Sequence, residues 1–171
     1  RPGWVEGSDS VLDVLLHEVP WVAERRRMYD RVVDVPRLIA WYDGGTALPH
    51  PVLSDARTAL SAYYRPELGE PFVTAGMCLY RDGRDAMGWH SDDEPELGPR
   101  PVIASLSLGG VRRFTLKHRR DPANKLALEL AHGSLLVMSG DTQADWRHAL
   151  PRTARPVAPR INLTFRRILP R

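Results

Sequence analysis

The chain has 171 residues, 43% of them apolar, which fits a single domain (1–171) with a real core. Cys78 is its only cysteine, so an internal disulfide and a cysteine zinc cluster are excluded, and no run approaches the ~18 apolar residues of a membrane span. The net charge of +3 hides an asymmetry: residues 1–98 hold 10 basic and 17 acidic side chains, and residues 99–171 hold 14 basic and 4 acidic, a distribution that suits a polyanionic partner on the second half.

Ser8, Asp9 and Ser10 offer N-caps for a helix over about 11–18, carried by Val11, Leu12, Leu15 and Leu16 and ended by Pro20. Met28-Tyr29-Asp30 precedes a turn at Pro36-Arg37, and Trp41-Tyr42 leads into the short segment 43–50. A second helix is predicted from Pro51, an N1-type proline, through Leu53, Ala56, Leu60 and Tyr63 to a stop at Pro66. From Phe72 the pattern turns to short strands, about 72–81, 87–92, 101–109, 112–118, 126–131, 134–139, 143–149 and 160–168, punctuated by glycine and proline. Eight such strands with helices at the front predict a mainly β chain with flanking helices, built as a double-stranded β-helix, the jelly-roll plan of cupins.

Two features of the β region carry chemistry. His90-Ser91-Asp92 places an imidazole and a carboxylate two residues apart, on one face if the segment is a strand, and His148 lies far downstream. Two histidines and one carboxylate can hold one face of iron(II) and leave the other open. The competing reading of His148 is a satisfied histidine at a strand end. The second feature is Arg160-Ile161-Asn162-Leu163-Thr164-Phe165-Arg166, whose period-two alternation sets Arg160, Asn162, Thr164 and Arg166 on one face. Guanidinium forks beside a metal suit a dicarboxylate such as 2-oxoglutarate.

The segments Trp89–Glu94, Pro101–Gly109, His132–Met138, Gln143–His148 and Pro159–Arg166 together resemble the AlkB-like iron(II)/2-oxoglutarate dioxygenases that remove alkyl groups from nucleobases, in particular the animal-type DNA and RNA repair members. The resemblance implies His90, Asp92 and His148 as iron ligands and catalytic centre, with Arg160 and Arg166 on the 2-oxoglutarate carboxylates and Asn162 beside them. Tyr80 matches a co-substrate contact, and Glu94, with Asp93 beside it, matches an acidic position that reads the exocyclic amine of the damaged base. Residues 72–168 would be the catalytic core, and 1–71 the N-terminal helices and nucleotide-recognition region. The implied activity is oxidative demethylation of 1-methyladenine or 3-methylcytosine in DNA or RNA, with Fe(II), 2-oxoglutarate and O2. The chain departs from the pattern at Cys78, where the family usually has asparagine, and in the segment 43–50, shorter than the usual tyrosine-containing lid.

Around that core, Tyr29 is similar in position to the finger of duplex-repair members, the bland reading being a half-buried strand tyrosine. Trp41 and Tyr42 could wall the base pocket or simply be core. Arg152 and Arg155 are the candidate phosphate contacts, and Arg112, Arg113, Lys117, Arg119 and Arg120 form a second basic cluster. A monomer in the cytoplasm is expected, nucleoid-associated, or nuclear in a eukaryote. Residue 1 is not methionine, which leaves room for a native leader or arm before it. Rival readings are a 2-oxoglutarate-dependent hydroxylase of a small molecule or peptide, and a non-catalytic nucleic-acid-binding module.

Overall fold

Gly7 adopts a left-handed conformation (φ 62°) and starts α1 (Ser8–Glu18), so the serines and aspartate expected to cap the helix form its first turn. The computed structural model describes residues 1–28 and 30–169. In α2 (Pro51–Tyr63) the His50 ring accepts a hydrogen bond from the Val52 amide at 3.2 Å, taking up one of the donors a helix start leaves free. Pro66 does not end the helical stretch: Tyr64 breaks it, and Pro66 sits in the first turn of a short α3 (Arg65–Leu68).

Among the described residues ten strands follow the helices or lie between them: β1 (Val22–Met28), β2 (Arg31–Tyr42), β3 (Thr74–Tyr80), β4 (Met87–His90), β5 (Ile103–Gly109), β6 (Arg112–His118), β7 (Lys125–Leu130), β8 (Ser134–Met138), β9 (Trp146–Leu150) and β10 (Arg160–Arg166). A one-turn α4 (Thr142–Asp145) occupies the front of the segment expected to be strand 143–149. The β1–β2 hairpin was not anticipated, because Glu24, Arg25, Arg26 and Arg27 interrupt any apolar alternation. Pro36, expected in a turn, lies inside β2 opposite an irregularity between Ala23 and Arg25, where the missing amide leaves no gap in a regular ladder.

The strands form two antiparallel sheets, one ordered β1-β2-β3-β10-β5-β8 and the other β4-β9-β6-β7, the double-stranded β-helix expected from the sequence. On β10, Ile161, Leu163 and Phe165 are fully buried and face the helices, packed with Val11 and Leu15 of α1 and Leu53 of α2. Each such side chain contributes about 1.5–3 kcal/mol relative to exposure. The opposite face of β10 is polar, and it turns inward between the two sheets rather than to water. There a second apolar cluster, with Phe114, Leu116, Met138 and Leu150, lines the remaining interior. Among the described residues, no helix is long and apolar enough to cross a membrane.

Candidate active site

β4 and β9 lie side by side with His90 opposite His148, and their rings meet edge to face at 4.2 Å. The strand ends at His90, so Asp92 does not share its pleat as the two-residue spacing suggested. It is turned back into the interior by three neighbours. Its amide donates to Gln143 Oε1 at 2.9 Å, the Ser91 hydroxyl donates to the Trp146 carbonyl at 2.8 Å, and Arg166 Nη2 donates to Asp92 Oδ1 at 3.0 Å. The result gathers one ligand atom each from His90, Asp92 and His148 within 4.8 Å of one another.

The donor chemistry of this group fits iron(II). The Gly88 carbonyl, 2.8 Å from His90 Nδ1, only accepts, so that nitrogen carries the proton and Nε2 keeps its lone pair. His148 is buried, and burial together with the neighbouring His90 ring pushes its pKa down to about 4. It is neutral at neutral pH, so its 3.6 Å approach to Asp92 Oδ2 is two lone-pair donors converging rather than an ion pair. Phe114 stacks on its ring at 5.3 Å and keeps that side dry.

Behind this group the inward face of β10 forms a hydrogen-bonded ladder. Arg160 Nη2 donates to Ser107 Oγ at 2.9 Å, Asn162 Nδ2 donates to Thr164 Oγ1 at 2.8 Å, and Ser105 Oγ lies 3.2 Å from Asn162 Oδ1. Arg160 is 2% exposed, with its guanidinium 5.4 Å from the centre of the buried Tyr80 ring. Among the described residues no carboxylate reaches it, and its Nε, like that of Arg166, is buried without a hydrogen-bond partner. A buried guanidinium without a counter-ion is costly, so Arg160 calls for an anionic ligand in the space between it and the metal group, where the free Nε of Arg166 can also meet it. Cys78, opposite Asn162, and Tyr80, opposite Arg160, wall the same space, and burial pushes the Tyr80 hydroxyl pKa up.

The candidate substrate residues divide. Trp41, 56% exposed, lies over Gly76, where an added Cβ would stand 2.9 Å from its ring and 3.3 Å from Arg166 Nη1, so only glycine lets the indole rest beside that guanidinium. Tyr42 is turned the other way, packed against the helix-side core opposite Ala75, and does not wall the site. Asp93 and Glu94 are exposed in the loop after the ligand. Asp93 is engaged by Arg119 Nη2 at 3.0 Å, while the Glu94 carboxylate has no partner among the described residues. Tyr29 lies outside the described residues. Arg152 and Arg155 are exposed on the loop after β9.

The second basic cluster is not one patch. Arg112 is buried, Arg113 faces Glu129 at 3.4 Å, Arg119 holds Asp93, and Lys117 sits 4.5 Å over the Trp89 ring. Gln143, to which the sequence assigns no role beyond opening a matching segment, is 3% exposed; it fixes the backbone of Asp92 and reaches Met138 Sδ with its amide.

Comparison with known proteins agrees with this geometry. The model of the 2OG-Fe(II) oxygenase superfamily matches residues 15–166. The chain is 37% identical over 186 residues to the alpha-ketoglutarate-dependent dioxygenase alkB homolog 3 of Bos taurus, covering 99% of this chain and 65% of that protein. It is 36% identical over 184 residues to the DNA oxidative demethylase ALKBH2 of Homo sapiens, covering 95% of this chain and 69% of that one. The chain thus spans about two thirds of the length of the curated relatives it matches. Among solved structures, OsALKBH1 superposes with a TM-score of 0.58 at 18% identity, covering 96% of this chain and 92% of that one. A 2OG-Fe(II) family oxidoreductase from Burkholderia pseudomallei gives 0.61 at 14% identity, covering 92% and 76%. At those identities the structures speak for the fold.

Proposed function

The chain belongs to the 2OG-Fe(II) oxygenase superfamily, and from that premise we propose that it oxidatively demethylates N-alkylated nucleobases of the 1-methyladenine or 3-methylcytosine type in DNA or RNA. The observation that carries the oxygenase chemistry is the buried Arg160 guanidinium, without a carboxylate among the described residues, facing the same interior as the His90, Asp92 and His148 donors. The nucleobase assignment rests on the relatives, one of which is named a DNA oxidative demethylase, and on Trp41 at the mouth of the site.

In this reading His90, Asp92 and His148 would hold iron(II), which with 2-oxoglutarate and O2 would supply the oxidising power to hydroxylate an N-methyl carbon. Arg160, with Tyr80 and Asn162 beside it, would hold the far carboxylate of 2-oxoglutarate as a fork. Arg166 donates to Asp92 through Nη2, and its Nε would take the near carboxylate, so one cation would orient both a ligand and the co-substrate. Phe114 and Leu116 keep the metal side of the interior apolar. A base swung out of its stack would lie on the Trp41 indole, with Glu94 accepting from its exocyclic amine and Arg152 and Arg155 on the phosphates. The hydroxylated methyl then leaves as formaldehyde. Residues 72–168 form the catalytic core in this scheme, and 1–71 adds the hairpin that extends its larger sheet.

The segment 43–50 favours a rival, a hydroxylase of a small molecule or peptide. Asp43 Oδ1 accepts from the Gly45 amide and the Thr46 hydroxyl, closing a tight turn in place of a long lid. One experiment separates the two. With iron, ascorbate, 2-oxoglutarate and an oligonucleotide carrying 1-methyladenine or 3-methylcytosine, the expected result is loss of the mass of one CH2 from the oligonucleotide, matched by succinate. Succinate formation with unchanged oligonucleotides across both lesions, in DNA and RNA, would defeat the nucleobase assignment and leave the oxygenase.

A further inference from the structure

Arg112, at the start of β6, is 2% exposed, and among the described residues its charge is met by backbone carbonyls rather than by a carboxylate. Nη1 donates to the Asp82 carbonyl at 3.0 Å, and Nη2 donates to those of Asp85 and Pro151, both at 2.8 Å. Its guanidinium carbon lies 5.9 Å from the centre of the Tyr80 ring, the ring that Arg160 also approaches. One buried side chain therefore touches three segments: the co-substrate wall at Tyr80, the turn 81–86 that leads from that wall into the metal-bearing strand β4, and the start of the loop 151–155.

The turn and the loop are themselves pressed together. The Thr153 amide donates to the Gly83 carbonyl at 2.9 Å, and an added Cβ on Gly83 would stand only 2.2 Å from the Thr153 carbonyl oxygen. The turn is stiffened from its other side, because Asp85 accepts from the Arg81 amide and guanidinium at 2.8 Å and the Ala86 amide donates to Pro36. The stiff turn keeps its own shape, so the place of the loop relative to Tyr80 is set by the Gly83–Thr153 contact on one side and by Arg112 on the other. Three carbonyls at different angles need the planar, multiply donating guanidinium; an ammonium supplies the same charge from one point.

We propose that Arg112 is a positioning residue, which holds the Tyr80 wall of the 2-oxoglutarate pocket and the Arg152–Arg155 loop in one fixed relation so that co-substrate and polynucleotide are aligned together. The assignment of the loop to phosphates rests on the function proposed above. Arg112 touches neither ligand in this scheme, which separates its effects from those of direct contacts.

The test compares Arg112→Lys, Arg112→Gln and Gly83→Ala with wild type. Calorimetric titration of 2-oxoglutarate with Mn2+ in place of iron under nitrogen, and fluorescence anisotropy of a labelled single-stranded oligonucleotide across a salt series, are run well below each variant's melting temperature. Arg112→Lys should weaken 2-oxoglutarate and the oligonucleotide each about tenfold, with the salt slope unchanged because no phosphate contact is removed, and Arg112→Gln should do so more. Gly83→Ala, which forces the loop away without touching Tyr80, should weaken the oligonucleotide alone at unchanged slope. Wild-type affinities in folded Arg112 variants with a lowered melting temperature would overturn the proposal and leave Arg112 a stability residue. If the Arg112 variants do not fold, unchanged oligonucleotide affinity in Gly83→Ala overturns it. A wild-type protein that binds 2-oxoglutarate but no oligonucleotide would defeat the nucleic-acid reading, and the 2-oxoglutarate titration would still judge Arg112.

Discussion

Arg160 concentrates the physics of the site in one side chain. Burial lowers its pKa, yet a guanidinium stays charged at any pH of interest, so a cation sits in the interior facing Ser107, Asn162 and an aromatic ring. Such a residue destabilises the free protein and stabilises the complex with an anion. Arg160→Lys should accordingly weaken 2-oxoglutarate binding at least tenfold in the Mn2+ titration, because a point charge replaces a fork, and unchanged affinity would show that the co-substrate lies elsewhere. Cys78 gives a second residue-scale prediction. It faces Asn162 across the β3–β10 ladder, inside the same space, and a thiol is a poor hydrogen-bond donor. Cys78→Asn should tighten 2-oxoglutarate by roughly 1 kcal/mol, the net value of one good hydrogen bond. It should also prolong turnover, since a thiol near activated oxygen is prone to oxidation. Weaker affinity together with a lower melting temperature would mean that sulfur is packed as core and that an amide there is left unsatisfied.

Among the elements, those with strict alternation were legible and those shaped by tertiary contacts were not. β10 runs from Arg160 to Arg166, the two arginines named from the sequence, because period two separates three fully buried apolar residues from four polar ones. Alternation by itself does not tell which way the polar face turns, since that depends on helices covering the other side; the resemblance alone points it inward. The β1–β2 hairpin leaves no period-two signature in the sequence because four charged residues interrupt β1 and Pro36 interrupts β2, and the two-residue spacing points Asp92 onto a strand because the bonds from Gln143 and Arg166 that pull it off one are remote in sequence. Charge was the least reliable guide, since Arg112 counts toward a basic half yet lies inside. The loop 151–155 is different: Arg152 and Arg155 are both exposed there. The double variant Arg152→Ala with Arg155→Ala should weaken oligonucleotide binding and flatten its log-log salt dependence by about one unit per lost phosphate contact, with 2-oxoglutarate affinity untouched. A wild-type salt slope would place the polyanion track on another face.

At the scale of the whole molecule, the two sheets meet across an interior that is only partly apolar. The larger sheet is held to its helices by a continuous core, but between the sheets lie the His90, Asp92 and His148 donors, two arginines and the hydroxyls of Ser105 and Thr164. Metal and 2-oxoglutarate should therefore act as the cross-brace between the sheets, binding the native state and not the unfolded chain. At a hundredfold excess over its dissociation constant, a ligand of that kind stabilises by about 2.7 kcal/mol, which in a chain of this size raises the melting temperature by roughly 5–10 °C. Protein stripped with a chelator should thus melt that much lower than protein with Mn2+ and 2-oxoglutarate. His148→Ala should remain folded and lose the metal-dependent increment, because two protein donors do not hold the ion. Asn162→Ala, by contrast, should keep the increment from Mn2+ alone and lose part of that from 2-oxoglutarate. A melting temperature indifferent to Mn2+ in wild type, or an increment retained in His148→Ala, would show that the three donors converge without holding a metal.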